Sequence, residues 1–294
     1  MKVIVIGSNG YVGKLLCHAY RIRGDEVVEF SSSSNGINPI TGLFPSIFSL
    51  PSDADVVFFL SQSPRYRSAP EGADHLLCVN CVAATQAAEA ARKAGIARFI
   101  YASTGNVYSP SFDPLSETDD VRRDAWYPLS KLMGEDAVSL YRSSMKVTIA
   151  RIFGIYGPGQ TNKLVPFLIQ ALKDGKPLYV DRNPNNPDDH DGLKVSLIYI
   201  DDLLAAFMSL AEQVSPPEVV NVGGEQAVSI REITDILGKQ LSIESSMTLS
   251  TNTRDSNLIA DVGLIKVSTG IEFINIKDGL SKTLAAAKEI SRFL

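Results

Sequence analysis

The sequence predicts an α/β fold, a doubly wound parallel sheet with a smaller carboxy-terminal lobe. Three observations carry that prediction. Short apolar runs alternate with amphipathic stretches as far as residue 151, which is how parallel strands covered by helices read. A glycine-rich turn, with Gly7, Gly10 and Gly13, follows the first run directly. Beyond residue 151 the alternation stops, and turn-rich or polar segments take over.

Taken in order, Lys2–Ile6 is a short strand and residues 11–23 a helix stopped by Gly24; Glu26–Phe30 is the second strand. Residues 31–51, rich in Ser, Asn, Gly and Pro, read as a loop or weak strand. The run 55–60 is apolar throughout, so it is expected to be buried on both faces. Residues 71–94 are Ala-rich and helical up to Gly95; 97–102 is a strand, 128–142 a helix and 146–151 a strand. Later, 154–160 is turn-rich, Leu164–Lys173 helical and 182–192 a polar loop. Residues 196–200 and Val219–Val222 read as strands, and 202–212 and 230–240 as helices. The chain is expected to return to the main sheet at least once, and no solenoid repeat or heptad pattern appears.

Composition narrows the function classes. A chain of 294 residues is about twice a typical single domain, so one large domain or two lobes is expected. Lys plus Arg is 28 and Asp plus Glu is 33, giving 28 − 33 = −5, which lacks the electrostatic footprint of a nucleic-acid binder. With 45% hydrophobic and 21% charged residues, the chain can bury a large core rather than remain disordered. The longest apolar runs, such as 56–60, fall far short of the roughly 20 residues of a membrane span. The opening MKVIVIG has no signal-peptide pattern, and three cysteines cannot all pair, which fits a reducing compartment. The expectation is a soluble, cytoplasmic globular protein.

The glycine turn is the strongest local motif. Gly7 permits a tight turn, Gly10 lets a pyrophosphate approach the backbone, and Gly13 lets the helix pack closely, while the helix's free N–H groups and dipole face the phosphates. The spacing is GxxGxxG. Inside a strand–turn–helix at the start of the chain it reads as a Rossmann-like dinucleotide site. The dinucleotide-binding domain is then expected to comprise residues 1–151 plus about 195–222, with 152–194 plus 223–294 as a substrate-binding lobe. The second constellation is Tyr127-Pro-Leu-Ser-Lys131, with Ser103-Thr104 at the end of a strand. Pro128 suits the first helical position and Tyr127 the position before it. Lys131 then lies one turn on, where its ammonium would favour the Tyr127 phenolate. From spacing alone, a surface Tyr and Lys on an exposed helix is the competing account.

Together these residues resemble the extended short-chain dehydrogenase/reductase family of NAD-dependent epimerases, dehydratases and 4-ketoreductases. The resembling segments are GSNGYVG, VNCVAATQAAEAARKAGIARFIYASTGNVYS, YPLSK, RIFGIYGPGQ, SLIYIDDLLAAF, VNVGGEQAVSIREITDIL and RDSNLIAD, spread over nearly the whole chain. The resemblance implies Tyr127 as general acid/base, Lys131 lowering its pKa and bonding the nicotinamide ribose, and Thr104 orienting the substrate oxygen. It implies a coenzyme held by Gly7, Asn9, Gly10, Tyr11, Val12 and Gly13, by Ser31 and Ser32, by Leu60 and Ser61, and by Tyr127 and Lys131. Asn80, counted with this set, matches the family's structural Asn beside the active-site strand. Asn106 joins Thr104 on the substrate side. By family analogy a homodimer would form through the long helices.

The departures shape the expectation. The family's dehydratases follow the catalytic Thr with Asp-Glu; here Gly105-Asn106 stand there, so dehydration is not expected. The NAD-selecting Asp at the second strand's end is replaced by Ser31, with Glu29 two residues early. Hydroxyls accept a 2′-phosphate that an Asp would repel, so the coenzyme is NAD or NADP, with NADP slightly favoured. In nucleotide-sugar members an Asn stands where this chain has Gly154, and an Arg where it has Val195. Asn162, Lys163 and Arg254 remain as candidates for a diphosphate. Cys78 and Cys81, at redox spacing, read as small core residues; the Asp188–Asp191 cluster around His190 reads as a flexible acidic loop, and Asp201-Asp202 as a helix cap. No metal site is expected. The expected function is an NAD(P)-dependent epimerase or 4-ketoreductase of a nucleotide-diphosphate sugar. Reduction of a non-sugar carbonyl is the alternative enzyme, and a catalytically silent NAD(P)-binding regulator the alternative of another class.

Overall fold

A computed structural model describes residues 1–290; the last four residues of the expected second lobe lie outside them. The central sheet contains β1 Lys2–Ile6, β2 Glu26–Phe30, β3 Val56–Phe59, β4 Arg98–Thr104, β5 Lys146–Ile152 and, later in the chain, Val219–Val222. Their spatial order is Val219–Val222, β5, β4, β3, β1, β2. β1 pairs in parallel with β2 and β3, β3 with β4, and β4 with β5. This is the doubly wound α/β sheet that the sequence predicts, with the expected late return of the chain.

The order reverses at β1, because the chain leaves β2 and crosses to the other side of β1 to form β3. In such sheets ligands bind beyond the carboxyl ends of the strands flanking the reversal. Val3–Ile6 and Val56–Phe59 are fully buried, so the two strands that frame this crevice are sealed on both faces. Helix α1, Tyr11–Ile22, packs with Gly13, Leu16, Cys17 and Tyr20 inward, one stripe at helical spacing.

The long helix expected at 71–94 is not continuous. It comprises α2 Ala73–Leu77, a π-helical segment Cys78–Ala83, and α3 Ala84–Lys93. Within the wide turn, the Asn80 carbonyl accepts the Tyr101 hydroxyl at 2.7 Å; a side chain bonding into the helical ladder is one cause of such a bulge. Sequence periodicity carries no signal for it.

By contact clustering the chain divides into two compact units. The first comprises residues 1–109, 120–152 and 204–220; the second comprises 110–119, 153–203 and, of the described residues, 221–290. In the second unit β6 Ile155–Tyr156 runs parallel to Ile198–Tyr199, followed in sequence by α5 Leu164–Lys173 and β7 Leu178–Arg182. The segment expected as one strand at 196–200 is broken into β8 Lys194–Ser196 and β9 Ile198–Tyr199, and Ile200 already belongs to α6 Ile200–Glu212. Asp201 and Asp202 therefore lie in the first turn of α6 rather than at its cap, where carboxylates still face the helix's positive end. Asp202 also accepts the Ile274 N–H at 2.9 Å. β10 is Val219–Val222; β11 Ala227–Ser229 lies antiparallel to β8. Helix α7, Ile230–Leu241, opens with a capping box between Ser229 and Glu232. β12 Met247–Thr253 runs parallel to β7, and α8 Gly263–Thr269 and α9 Ile276–Ile290 complete the described chain. Among the described residues no helix is long and apolar enough to cross a membrane.

Candidate active site

The crevice beyond β1 and β3 is built by backbone geometry. Gly7 has φ +95°, and a Cβ there would lie 2.8 Å from the Ser61 backbone nitrogen, so only glycine lets the two strand ends approach this closely. A Cβ on Gly13 would lie 2.2 Å from the Gly7 carbonyl oxygen; its absence seats α1 against the turn. Gly10 is the N-cap of α1 and makes no side-chain cap hydrogen bond, so the first turn of the helix, with Tyr11 and Val12, opens without a capping side chain. A cavity of about 300 Å³ lies here, lined on one side by Gly7, Asn9 and Gly10 and on the other by Leu60 and Ser61. An uncapped helix start over a cradle that any Cβ would fill is the donor set a pyrophosphate needs. These residues fit a dinucleotide.

Ser31 and Ser32 also line this cavity, but not alike. Ser31 is buried, and its hydroxyl lies 3.0 Å from that of Ser33 and 2.9 Å from that of Ser34. Ser32 and Ser33 are exposed, and Asn9 donates to Ser33 at 2.8 Å. The hydroxyl expected to read the ribose from position 31 is engaged inside its own turn. The register Ile6↔Phe30 fixes β2, and Glu29 is ion-paired with Arg21.

Thr104 ends β4, and its Oγ1 accepts from the Asn106 backbone N–H at 3.2 Å and from the Asn106 side-chain amide at 3.1 Å. Thr104 is buried and Asn106 exposed. Helix α4, Trp126–Ser139, starts two residues earlier than the sequence suggests: Ala125 is the extended N-cap and Tyr127 lies inside the first turn. Pro128 is tolerated there because first-turn amides have no intrahelical acceptor. Tyr127 and Lys131 therefore share one helix face, four residues apart.

The Tyr127 phenol donates to Gln62 Oε1 at 3.3 Å, and its ring lies 5.5 Å from that of Tyr66. Gln62 also lines the dinucleotide cavity, so it joins the glycine turn to the Tyr127 group. Lys131 is 2% exposed; its Nζ donates to the Ala102 carbonyl at 2.8 Å and sits 5.0 Å from the Tyr101 ring centroid. The ammonium does not hold the phenol down as expected. Burial dominates both groups: it pushes Tyr127 up to about 12, against the opposing Thr104 hydrogen bond and with a further push from Tyr66. It brings Lys131 down to about 7, opposed only by the charge of Glu135. Desolvation disfavours the charged form of each.

Asn80 stands apart from the cavity. It is fully buried, donates to Ser130 at 2.9 Å, and its Oδ1 finds no partner among the described residues. A Cβ on Gly134 would lie 2.2 Å from the Asn80 carbonyl oxygen, so Gly134 is what lets α4 pack onto the π segment. A larger hollow of about 500 Å³, lined by Phe48, Thr85, Glu89 and Tyr141, contains none of the expected site residues.

The remaining candidates belong to the second unit. Asn162, with φ +55°, and Lys163, the N-cap of α5, are exposed. Arg254 is not a solvated cation. It is 8% exposed, ion-paired with Asp189, and donates to the Asp181 carbonyl at 2.9 Å and to Asn257 Oδ1 at 3.4 Å. Its guanidinium lies over the Phe112 ring at 5.7 Å. Asp189 is correspondingly buried rather than part of a free acidic loop. A Cβ on Gly154 would lie 2.4 Å from Leu197 Cδ2, so Leu197 occupies the space an Asn there would need. Sequence reasoning missed Gln62, His75, Glu135 and Arg151, which carry no local spacing signal. His75 is buried on the cavity wall, between the Ser63 hydroxyl at 2.8 Å and the Pro39 carbonyl at 3.1 Å.

Comparison with known proteins accords with this geometry. The model of the NAD dependent epimerase/dehydratase family matches residues 3–223. A Bacillus subtilis protein called an uncharacterized UDP-glucose epimerase, YtcB, is 26% identical, with 97% of each chain covered. The UDP-N-acetyl-alpha-D-glucosaminuronate decarboxylase of Bacillus cytotoxicus is 27% identical over 83% of this chain and 81% of its own. Among solved structures, the UDP-glucuronic acid 4-epimerase of Bacillus cereus, in complex with UDP-glucuronic acid and NAD, superposes with a TM-score of 0.81. It is 23% identical and covers 99% of this chain and 100% of its own; at that identity the likeness is one of fold.

Proposed function

This chain belongs to the NAD dependent epimerase/dehydratase family, enzymes of the extended short-chain dehydrogenase/reductase type, and on that footing we propose that it is an epimerase or 4-ketoreductase of a nucleotide-diphosphate sugar. The observation that carries the reading is the group Thr104, Tyr127 and Lys131, joined through Gln62 to the wall of the glycine-turn cavity. A bound nicotinamide coenzyme supplies hydride exchange with a hydroxyl or keto carbon. The uncapped amides of α1 hold its pyrophosphate, with Leu60 and Ser61 forming the facing wall. Lys131 bonds its ribose, and Asn80 acts indirectly by seating α4. Tyr127 moves the proton at the substrate oxygen, and Thr104 and Asn106 orient that oxygen. With its phenol near 12, Tyr127 rests as the neutral donor, the form that protonates a reduced carbonyl oxygen; the oxidative step requires the phenolate. The domain roles follow: the first unit holds coenzyme and the proton-transfer group, the second the nucleotide.

Coenzyme choice falls to the exposed Ser32 and Ser33 beside Asn9, with NADP(H) accepted at least as well as NAD(H), since no carboxylate faces the cavity from β2. For the diphosphate we retain Asn162 and Lys163 and assign Arg254 to the framework of the second unit. Thermal-shift titration with UDP, GDP, dTDP and CDP, with and without coenzyme, tests this reading. At least one nucleotide should stabilise the protein, and Lys163→Ala should reduce the shift. Reduction of a small non-nucleotide ketone, with no nucleotide binding at millimolar concentration, would replace it by the simple carbonyl reductase, a reading favoured by Val195 and by Leu197 filling the space beside Gly154.

A further inference from the structure

We propose that Glu135 is a positioning residue: braced by Arg151 and Ser103, its carboxylate acts on the Lys131 amine one helical turn away and keeps α4 in register with the end of β4. Ser103 and Arg151 are direct cross-strand partners of β4 and β5, so their side chains share a face. Glu135, one turn beyond Lys131 on the same face of α4, inserts between them. Its Oε1 accepts the Ser103 hydroxyl; its Oε2 accepts Arg151 Nη2 at 2.8 Å and Nε at 3.2 Å. Arg151 is 7% and Glu135 3% exposed, and the guanidinium lies over the Tyr108 ring at 4.8 Å.

A buried ion pair is a poor source of stability, because desolving two charges offsets most of their attraction and apolar residues of equal volume often serve as well. Its location gives it another role. The three residues that end β4 are each held from a different direction: Ala102 by Lys131 Nζ, Ser103 by Glu135, and Thr104 by Asn106. Two of those holds come from α4, which also carries Tyr127. The chain thus locks the helix bearing Tyr127 to the strand bearing Thr104.

The electrostatic part concerns Lys131. Around it stand Tyr101 from β4, Tyr127 and Glu135 on α4, and Arg151 beyond Glu135 on β5; Tyr101 in turn feels Glu135, Tyr127 and Cys81. Among the described residues, Glu135 is the charge that opposes the burial bringing Lys131 down to about 7. Without it the amine would be neutral over more of the physiological range.

The test is the ¹⁵N NMR titration of the Lys131 ε-amine in the ligand-free chain, so the placement stands or falls apart from the proposed reaction. Glu135→Gln should move the titration down by about one pH unit, whereas Ser103→Ala should leave it in place. The Glu135→Met/Arg151→Met double variant, which keeps the site filled and leaves no orphan charge, should shift it in the same direction and provides the test if Glu135→Gln does not fold. Lys131 titrating at its unaltered pH in either folded variant would overturn the proposal, as would an equal shift in Ser103→Ala. The pH dependence of kcat/KM, the one readout that rests on the proposed function, should move with the amine. An unmoved profile beside a moved titration upholds the placement and counts against Lys131 working in that reaction.

Discussion

Two enclosed cations, Lys131 in the first unit and Arg254 in the second, are treated in opposite ways. In the first, Lys131 is buried with a carbonyl and an aromatic face, and burial weakens its charge. In the second, Arg254 is also enclosed but matched to a carboxylate, two oxygen acceptors and a ring. An Arg cannot shed its proton, so enclosing it requires a partner, whereas a Lys can shift and remain reactive. An enclosed cation with a full set of partners is framework; one with too few is a candidate for chemistry.

Arg254→Leu tests the framework side with the largest expected effect. It leaves Asp189 buried without its cation, and breaking such a pair costs about 3–5 kcal/mol, read from denaturant unfolding. Adding Asp189→Leu should recover most of the loss. Near-native stability of the single variant, with nucleotide binding abolished, would return Arg254 to the ligand site.

Gly13→Ala probes the glycine turn. Its Cβ would meet the Gly7 carbonyl oxygen, and relieving such overpacking costs about 1–3 kcal/mol. Coenzyme affinity, measured by fluorescence titration, should fall well beyond the change seen for Gly24→Ala, where an added Cβ meets nothing within 4 Å and the cost is backbone strain at φ +90°. Equal coenzyme affinities in the two variants would contradict the close-packing account.

Lys131 offers a pH test of the same contrast. Its folded value, about 7, lies below the ordinary 10.5, so between those limits the unfolded chain binds more protons and this group makes stability rise with pH. Below about 7 both states are protonated and the penalty is constant. Lys131→Met should remove that rise from the unfolding midpoints measured between pH 7 and 10. An unchanged slope would mean that Lys131 is not desolvated.

The smallest expected effect concerns coenzyme choice. Ser32→Asp should weaken NADP(H) about tenfold with little change for NAD(H), because the carboxylate would face a 2′-phosphate. Equal effects on both coenzymes in titration would show that this loop does not read the 2′ position.

Legibility in the sequence followed the same division. The sheet, α1 and the glycine turn were readable because strand periodicity and glycine geometry are local. The Tyr127–Lys131 spacing was readable for the same reason, since one helical turn joins the two residues. The π segment at Asn80 was not, because its wide turn is tied to a hydroxyl on β4. Nor were the pairings Glu135–Arg151 and Arg254–Asp189, or the Gln62 contact with Tyr127, which depend on folds of chain that bring distant positions together. Ser31 lines the cavity, but that neighbouring serines engage its hydroxyl is not legible from the residue type.

The most direct test of the central claim, that Tyr127 carries the proton, is Tyr127→Phe assayed with a substrate identified by nucleotide screening. The variant keeps the ring beside Tyr66 and removes only the phenol, so coenzyme affinity should stay within about twofold while turnover falls about 10²–10⁴-fold. Near-normal turnover with coenzyme bound would contradict the assignment and move the proton-transfer step away from α4.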